Sequence, residues 1–174
     1  MKNRSQMDSE EYSKSLEEKF HQYKIGVSIN RSNHEIEVNH EHLIELAKKL
    51  LTKKNSIFGS CWGLQVLVTA AGGKIRKNPN GLEAIVARNI ILNEQGINHP
   101  MYYGKNSTFD SFCWHYDVIE KLPNETIVLS SNDQSNVQSI SFSENQSKVW
   151  AVQYHPEFNP HWMSGLMEQR KKLL

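Results

Sequence analysis

Cysteine, histidine and glutamate are the residues through which this chain of 174 residues could do covalent chemistry. Gly59-Ser60-Cys61-Trp62-Gly63 sets a thiol between two glycines, where a short apolar run over residues 56–60 gives way to a helical pattern. That is the spacing of a nucleophile elbow, a sharp strand-to-helix turn that pushes its central side chain toward a substrate. A Cβ at 59 or 63 is expected to collide with the neighbouring strand or helix, which gives both glycines a steric reason. The helix that begins at Trp62 presents unpaired N–H groups and a partial positive charge. It is expected to favour thiolate over thiol and to bind a developing oxyanion, with the Trp62 N–H as the natural donor. Read alone, the pattern fits equally a free cysteine packed as a small hydrophobe at a strand end.

A second group lies near the far end, where Val149-Trp150-Ala151-Val152-Gln153-Tyr154-His155-Pro156-Glu157 runs an apolar strand into a histidine and a carboxylate. His155 and Glu157 share a parity, so in extended chain they point to one side. Glu157 could then accept a hydrogen bond from one imidazole nitrogen and leave the other to take a proton from the Cys61 thiol. Alone, this pair reads as well as a strand-end histidine beside a solvated carboxylate.

The elements that must position these groups follow from periodicity. Residues 8–23 are polar with Tyr12, Leu16 and Phe20 four apart, which predicts a weakly amphipathic helix, and residues 24–29 predict a short strand. Asn39 is placed to cap a helix carrying Leu43, Leu46, Ala47 and Leu50, with Val38 and Leu43 positioned as a hydrophobic staple. Residues 56–60 predict a strand and 62–71 a helix stopped by Gly72-Gly73. Val- and Ile-rich runs at 84–92, 126–130, 137–142 and 149–153 predict strands, and a last helix is expected near residues 165–174. Helices early and strands later predict an α/β sandwich with a parallel sheet and some antiparallel pairing.

Composition bounds the rest. Twenty Lys plus Arg against nineteen Asp plus Glu give a net charge of +1, so no global field favours nucleic acid or an anionic membrane. No window approaches the roughly 18 apolar residues of a membrane span, and the amino-terminal residues lack a signal-peptide core, so a cytoplasmic location is expected. Two cysteines, neither in a Cys-x-x-Cys pair, argue against a disulfide framework. Cys113, in Phe112-Cys113-Trp114, is expected to pack in the core. His34, His40 and His42 resemble a metal cluster, but His40 and His42 stand two apart on a helix and point different ways, so they read as solvated and no metal is expected. Neither a phosphate-binding Gly-x-x-x-x-Gly-Lys run nor a dinucleotide fingerprint is present, and no cofactor is expected.

Gly59-x-Cys61-x-Gly63-x-Gln65 followed by His155-x-Glu157 resembles the class I glutamine amidotransferase domain, a family whose triad is Cys, His and Glu. The resemblance continues through Ala70-Ala71-Gly72-Gly73, Asn78-Pro79-Asn80-Gly81, the stretch 109–123 with His115-Tyr116-Asp117, and Val152-Gln153-Tyr154-His155-Pro156-Glu157. It spans roughly residue 57 to the end and is nearest to stand-alone relatives of the GMP synthase glutaminase domain. It implies a three-layer, flavodoxin-like α/β sandwich with a mostly parallel central sheet and the elbow at Cys61. It also implies one domain over 1–174, incomplete at both ends, with 1–24 poorly matched. By the same resemblance Cys61 is the nucleophile, His155 the general base and then acid, and Glu157 its orienter. Gly59, Trp62, Gln65 and the backbone near His115, Tyr116 and Asp117 hold the substrate, L-glutamine. One departure stands out. The upstream loop that donates the second oxyanion N–H corresponds to Gly26-Val27-Ser28-Ile29-Asn30-Arg31-Ser32, with Asn30 or Arg31 where glycine is the family's rule.

The expected reaction is hydrolysis of the side-chain amide of glutamine through a cysteinyl thioester, with ammonia passed to a synthetase partner in trans. A γ-glutamyl hydrolase keeps the same triad with another substrate. An α/β-hydrolase is disfavoured, because there the acid precedes the histidine in the chain. A binding or regulatory module that inherited the fold is the non-catalytic alternative, motivated by the missing glycine and the short ends.

Overall fold

The computed structural model describes residues 27–30, 35–38 and 40–173. The helix expected over 8–23, the start of the strand expected over 24–29, Asn39, His34, and Gly26, Arg31 and Ser32 of the upstream loop lie outside the described residues, as do the side chains of His40 and His42. The chain divides into two compact units, Met1–Ala47 and Lys48–Leu174.

In the first unit β1 (Val27–Asn30) and β2 (Glu35–Val38) form an antiparallel ribbon in which Val27 faces Val38 and Asn30 faces Glu35. Helix α1 (His40–Leu51) starts immediately after the predicted cap, begins in the first unit and ends in the second.

The second unit holds β3 (Ser56–Ser60), α2 (Trp62–Ala70), β4 (Lys74–Lys77), β5 (Glu83–Leu92), the single turn α3 (Glu94–Ile97), β6 (Thr108–His115), β7 (Asp117–Lys121), β8 (Ile127–Ser131), β9 (Ser139–Glu144), β10 (Ser147–Val152) and α4 (Pro160–Arg170). Helix α2 buries Leu64, Val66, Leu67 and Val68, and it stops where Gly72, at φ +84°, and Gly73 return their N–H groups to Thr69 and Val68. Only a residue without a Cβ adopts that turn at no cost. Asn159 caps α4 by accepting the Trp162 N–H at 3.0 Å. The last helix therefore starts at Pro160, earlier than the expected 165.

One six-stranded sheet runs in the order β3-β10-β9-β8-β5-β6, beside a small β4-β7 ribbon. The α/β class stands, but among the described residues parallel pairing is confined to β3 and β10; the other pairs of this sheet are antiparallel. The reason is connection length. Parallel neighbours need a long crossover, which β3 and β10 have, whereas the short loops joining β8, β9 and β10 can only reverse direction. The β3/β10 register sets Ser60 opposite Val152, so both strands deliver their carboxyl ends to one place.

The core gathers Ala87, Ile90 and Cys113 from β5 and β6 with Val152 and Tyr154 at the end of β10. Cys113 is fully buried there as a free thiol, as expected of a packing residue. The sheet is thus curled enough for strands from its two ends to share one interior. Among the described residues no helix is long and apolar enough to cross a membrane.

Candidate active site

Cys61 sits between β3 and α2 with φ 48° and ψ −106°, a left-handed backbone that a residue with a side chain adopts only under constraint. Two hydrogen bonds supply that constraint: the Cys61 N–H donates to the Val152 carbonyl at 2.8 Å, and its own carbonyl accepts the Gln65 N–H at 3.3 Å as α2 begins. Gly59 has the steric role expected of it, since a Cβ there would stand 2.7 Å from Leu67 Cδ1 and 2.8 Å from the Gly63 carbonyl carbon. Gly63 does not: its own Cβ would meet nothing within 4 Å, because it is Gly63's backbone that approaches Gly59.

The Cys61 sulfur faces inward. Its S–H donates to the Trp114 carbonyl at 3.7 Å, and it accepts from Gln153 Nε2 at 3.8 Å. Burial pushes the thiol up to about 11, against the expectation that the helix start favours thiolate. The Trp62 N–H, the Arg170 charge and the Gln153 amide pull it down and the Glu157 charge pushes it up, but desolvation is the largest effect. The resting sulfur is therefore a protonated thiol that needs a base.

The expected base, His155, has a built orientation. His155 Nδ1 lies 2.7 Å from Glu157 Oε1, and the same oxygen accepts the Ser60 hydroxyl at 2.9 Å. A carboxylate oxygen only accepts, so Nδ1 is the nitrogen that donates here, and Nε2 is the one left to exchange a proton. The His155 backbone N–H donates to Phe112 O at 2.7 Å, and the ring stacks on Phe158 at 4.0 Å and 12°. Burial raises the Glu157 carboxyl, but the hydrogen bonds from His155, its own backbone and Ser60, with the His155 charge, leave it below the ordinary carboxyl value. Cys61, His155 and Glu157 are thus gathered at the carboxyl ends of β3 and β10, although neither of the two sulfur contacts above goes to the imidazole.

The remaining expected site residues form a neighbouring group. Gln65 Nε2 donates to the Asp117 carbonyl at 3.4 Å, and the Tyr116 carbonyl accepts the Asn78 N–H at 2.7 Å. Trp62 and Tyr116 keep their side chains partly in solvent. The His115 side chain points into the core: Nε2 lies 2.8 Å from Glu83 Oε2 and Nδ1 3.0 Å from the Asp117 carbonyl. Both partners are acceptors, so satisfying both takes a proton on each nitrogen. Asn132 and Gln138 complete the Glu83 carboxylate at 2.6 and 2.8 Å. Burial raises the Glu83 carboxyl, and the His115 and Asn132 hydrogen bonds, the His115 charge and the Gln138 amide bring it below its ordinary value. Among the described residues no three His, Cys, Asp or Glu side chains converge to hold a metal ion.

Sequence patterns alone do not mark Ser60, Gln153 or Glu83 as members of this region. Ser60 stands beside the nucleophile and Gln153 two residues before the histidine, so proximity to the motifs is their only signal. Glu83, a carboxylate opening an apolar strand, is the odd residue of its run.

The profile of the family "Glutamine amidotransferase class-I" matches residues 30–170. A γ-glutamyl-L-1-hydroxyisopropylamide hydrolase from a Pseudomonas species is 32% identical over 155 residues, covering 86% of this chain and 52% of that protein. A glutamine-hydrolysing GMP synthase from Petrotoga mobilis is 26% identical over 113 residues, covering 65% of this chain and 21% of that protein. The crystal structure of a glutamine amidotransferase from Thermotoga maritima shares the fold, with a TM-score of 0.66 at 19% identity over 77% of this chain and 54% of that one. The chain thus spans about half the length of that hydrolase and about a fifth of that synthase. With an elbow cysteine, a His–Glu pair at the end of the adjoining strand and a profile that covers most of its length, the chain belongs to the class I glutamine amidotransferase family.

Proposed function

We propose that this chain cleaves γ-glutamyl amides through a Cys61 thioester, with glutamine as the smallest member of the substrate class. The observation that carries the reading is the relay Ser60–Glu157–His155 beside the strained Cys61 elbow. His155 Nε2 takes the thiol proton as sulfur adds to the γ-carbonyl carbon. The oxygen that becomes negative is met by the Trp62 N–H at the start of α2, the kind of donor worth about 10²–10³ in rate. The tetrahedral intermediate collapses with loss of the C–N bond, and His155 returns its proton to the departing nitrogen. Water, deprotonated by His155, then adds to the thioester; the C–S bond breaks, sulfur regains the proton, and glutamate leaves. Glu157 keeps the imidazole in the tautomer that both halves need. Gln65 and the backbone at His115, Tyr116 and Asp117 hold the glutamyl part, and Gly59 lets strand and helix close beneath the sulfur.

The similarity to a γ-glutamyl-amide hydrolase over most of this chain supports hydrolysis as the complete reaction. The similarity to GMP synthases favours a second reading, in which glutamine is the substrate and the ammonia passes to a synthetase in trans. Release of glutamate from glutamine and from γ-glutamyl isopropylamide by the purified chain, alone and with candidate synthetases, separates the two. The expected result is turnover of both amides without a partner, abolished in Cys61→Ala. Silence toward every γ-glutamyl amide, together with equal labelling of Cys61 and Cys113 by a diazo-ketone analogue of glutamine, would overturn both and favour a binding module.

A further inference from the structure

Beside His155 the second unit carries an open pocket of about 320 Å³, lined by Val86, Asp110, Ser111, Phe112, Pro156 and Phe158 together with the imidazole. Ammonia, comparable in size to a water molecule at about 30 Å³, does not need such a space. The pocket borders β6 at Asp110, Ser111 and Phe112. Asp110 and Phe112 share one face of the strand by alternation, with Val86 opposite Phe112 on β5. Trp114 offers its carbonyl to the Cys61 thiol, Phe112 offers its own to the His155 N–H, and Asp110 lies two residues beyond, about 7 Å further along the strand. The walk from sulfur to imidazole to carboxylate is therefore also a walk along one strand. An Asn89 N–H anchors Asp110 Oδ1 at 2.8 Å, and apart from His155 this carboxylate is the one ionisable group among the lining residues.

We infer that this cavity is a subsite for the amine half of the substrate and that Asp110 selects γ-glutamyl conjugates of small amines whose far end carries a cation or hydrogen-bond donor, against those ending in a carboxylate. The inference rests on the γ-glutamyl hydrolase reading and extends it. A general acid must touch the nitrogen it protonates, so the leaving amine lies against His155. Whatever that nitrogen bears enters the space the imidazole borders. Val86, Phe112 and Phe158 cover a three- or four-carbon chain; extended, such a chain sets its far amino group about 5–6 Å from the scissile nitrogen, and a hydrogen bond of about 3 Å beyond that brings it within reach of a carboxylate two residues along the strand. A terminal carboxylate would face Asp110 and be repelled.

The experiment uses three probes of similar length: γ-glutamyl-1,3-diaminopropane, γ-glutamyl-butylamide and γ-glutamyl-β-alanine. Ratios of kcat/KM are compared within the native chain, Asp110→Asn and Asp110→Lys; Asn retains an oxygen for the Asn89 N–H. The expected order in the native chain is diamine, then butylamide, then β-alanine. Asp110 is exposed, so the ratio of diamine to β-alanine should fall by only about five-fold in D110N, invert in D110K and shrink in high salt. An unchanged ratio in D110K overturns the subsite while leaving the hydrolase reading intact. If no probe is cleaved, the hydrolase reading falls, and the same ratios are read as Kd values on the Cys61→Ala chain. Equal affinity for the diamine and β-alanine conjugates there, or no binding of either, overturns the subsite as well.

Discussion

The protonated state of Cys61 leads to a test in which reactivity and catalysis should move in opposite directions. A thiol pushed up to about 11, against an ordinary 9.0, has roughly 100-fold less thiolate at pH 8. The more basic sulfur is intrinsically more nucleophilic, by roughly eight-fold over two pH units at a Brønsted slope near 0.45, so iodoacetamide should alkylate Cys61 about ten-fold more slowly than a free thiol. The rate should climb with pH toward a midpoint near 11. Glu157→Gln removes the negative charge that raises the thiol, and the alkylation profile should shift to lower pH. The shift should be a few tenths of a unit at most, because the Glu157 side chain is 49% exposed and its field is screened. The same change deprives His155 of the carboxylate that fixes its tautomer, and hydrolysis of a γ-glutamyl amide should fall by about 10² or more. Alkylation is read by peptide mapping, which separates Cys61 from the buried Cys113. A native midpoint at or below pH 8, or a Glu157→Gln profile displaced upward, would refute the argument that burial governs this sulfur.

Three further changes test the scaffold. Gly59→Ala should force α2 off β3, since the contact at 2.8 Å is to backbone; a loss near the top of the about 1–3 kcal/mol range for overpacking corresponds to a Tm lowered by roughly 10 °C in calorimetry. Glu83 has its carboxyl below the ordinary 4.5, so its contribution to stability is present above that pH and lost as pH falls through the folded-state value. The stability of the native chain to denaturant should fall below about pH 4.5, and Glu83→Gln should flatten that dependence while costing about 1–3 kcal/mol at neutral pH, because a carboxamide leaves one of the buried donors from His115, Asn132 and Gln138 without its acceptor. Gln153→Leu removes an N–H that lowers the thiol and a side-chain oxygen that has no hydrogen-bond partner among the described residues, so alkylation at fixed pH should slow by about two- to five-fold with stability unchanged or slightly raised.

The elbow is readable from sequence because its determinants are local: an apolar run, a cysteine between glycines and a helical pattern within fifteen residues. The His155–Glu157 contact is readable for the same reason, since two residues of one parity need no long-range information. Pairing is not. Val- and Ile-rich runs mark β5, β8, β9 and β10 but are silent about neighbours, and the antiparallel order comes from loop lengths that only the folded chain reveals. Lys74-Ile75-Arg76-Lys77 escapes notice because β4 is mostly exposed and too polar to signal a strand. The inward-facing sulfur is equally invisible, because desolvation depends on β6, more than fifty residues away in the chain. The His115–Glu83 pair joins β6 to β5 through side chains that no period connects.

Sheet closure ties these points together. Strands β3 and β6 occupy opposite ends of the strand order, yet Cys61, just beyond β3, meets the Trp114 carbonyl of β6. His155, just beyond β10, donates to Phe112 of the same β6. Cys61 is therefore held to both sides of the sheet, by the Val152 carbonyl of β10 and the Trp114 carbonyl of β6, while His155 continues from β10 and is held to β6 through the Phe112 carbonyl. A register slip of one residue in β6 would turn Phe112 and Asp110 to the other face and offer the wrong carbonyls to both groups. The β5/β6 register, held by the buried Glu83–His115 pair at one end and by the Ala87, Ile90 and Cys113 core along its length, thus sets the spacing between sulfur, imidazole and the cavity beyond. In this fold the placing of Cys61 and His155 depends on a strand that carries neither.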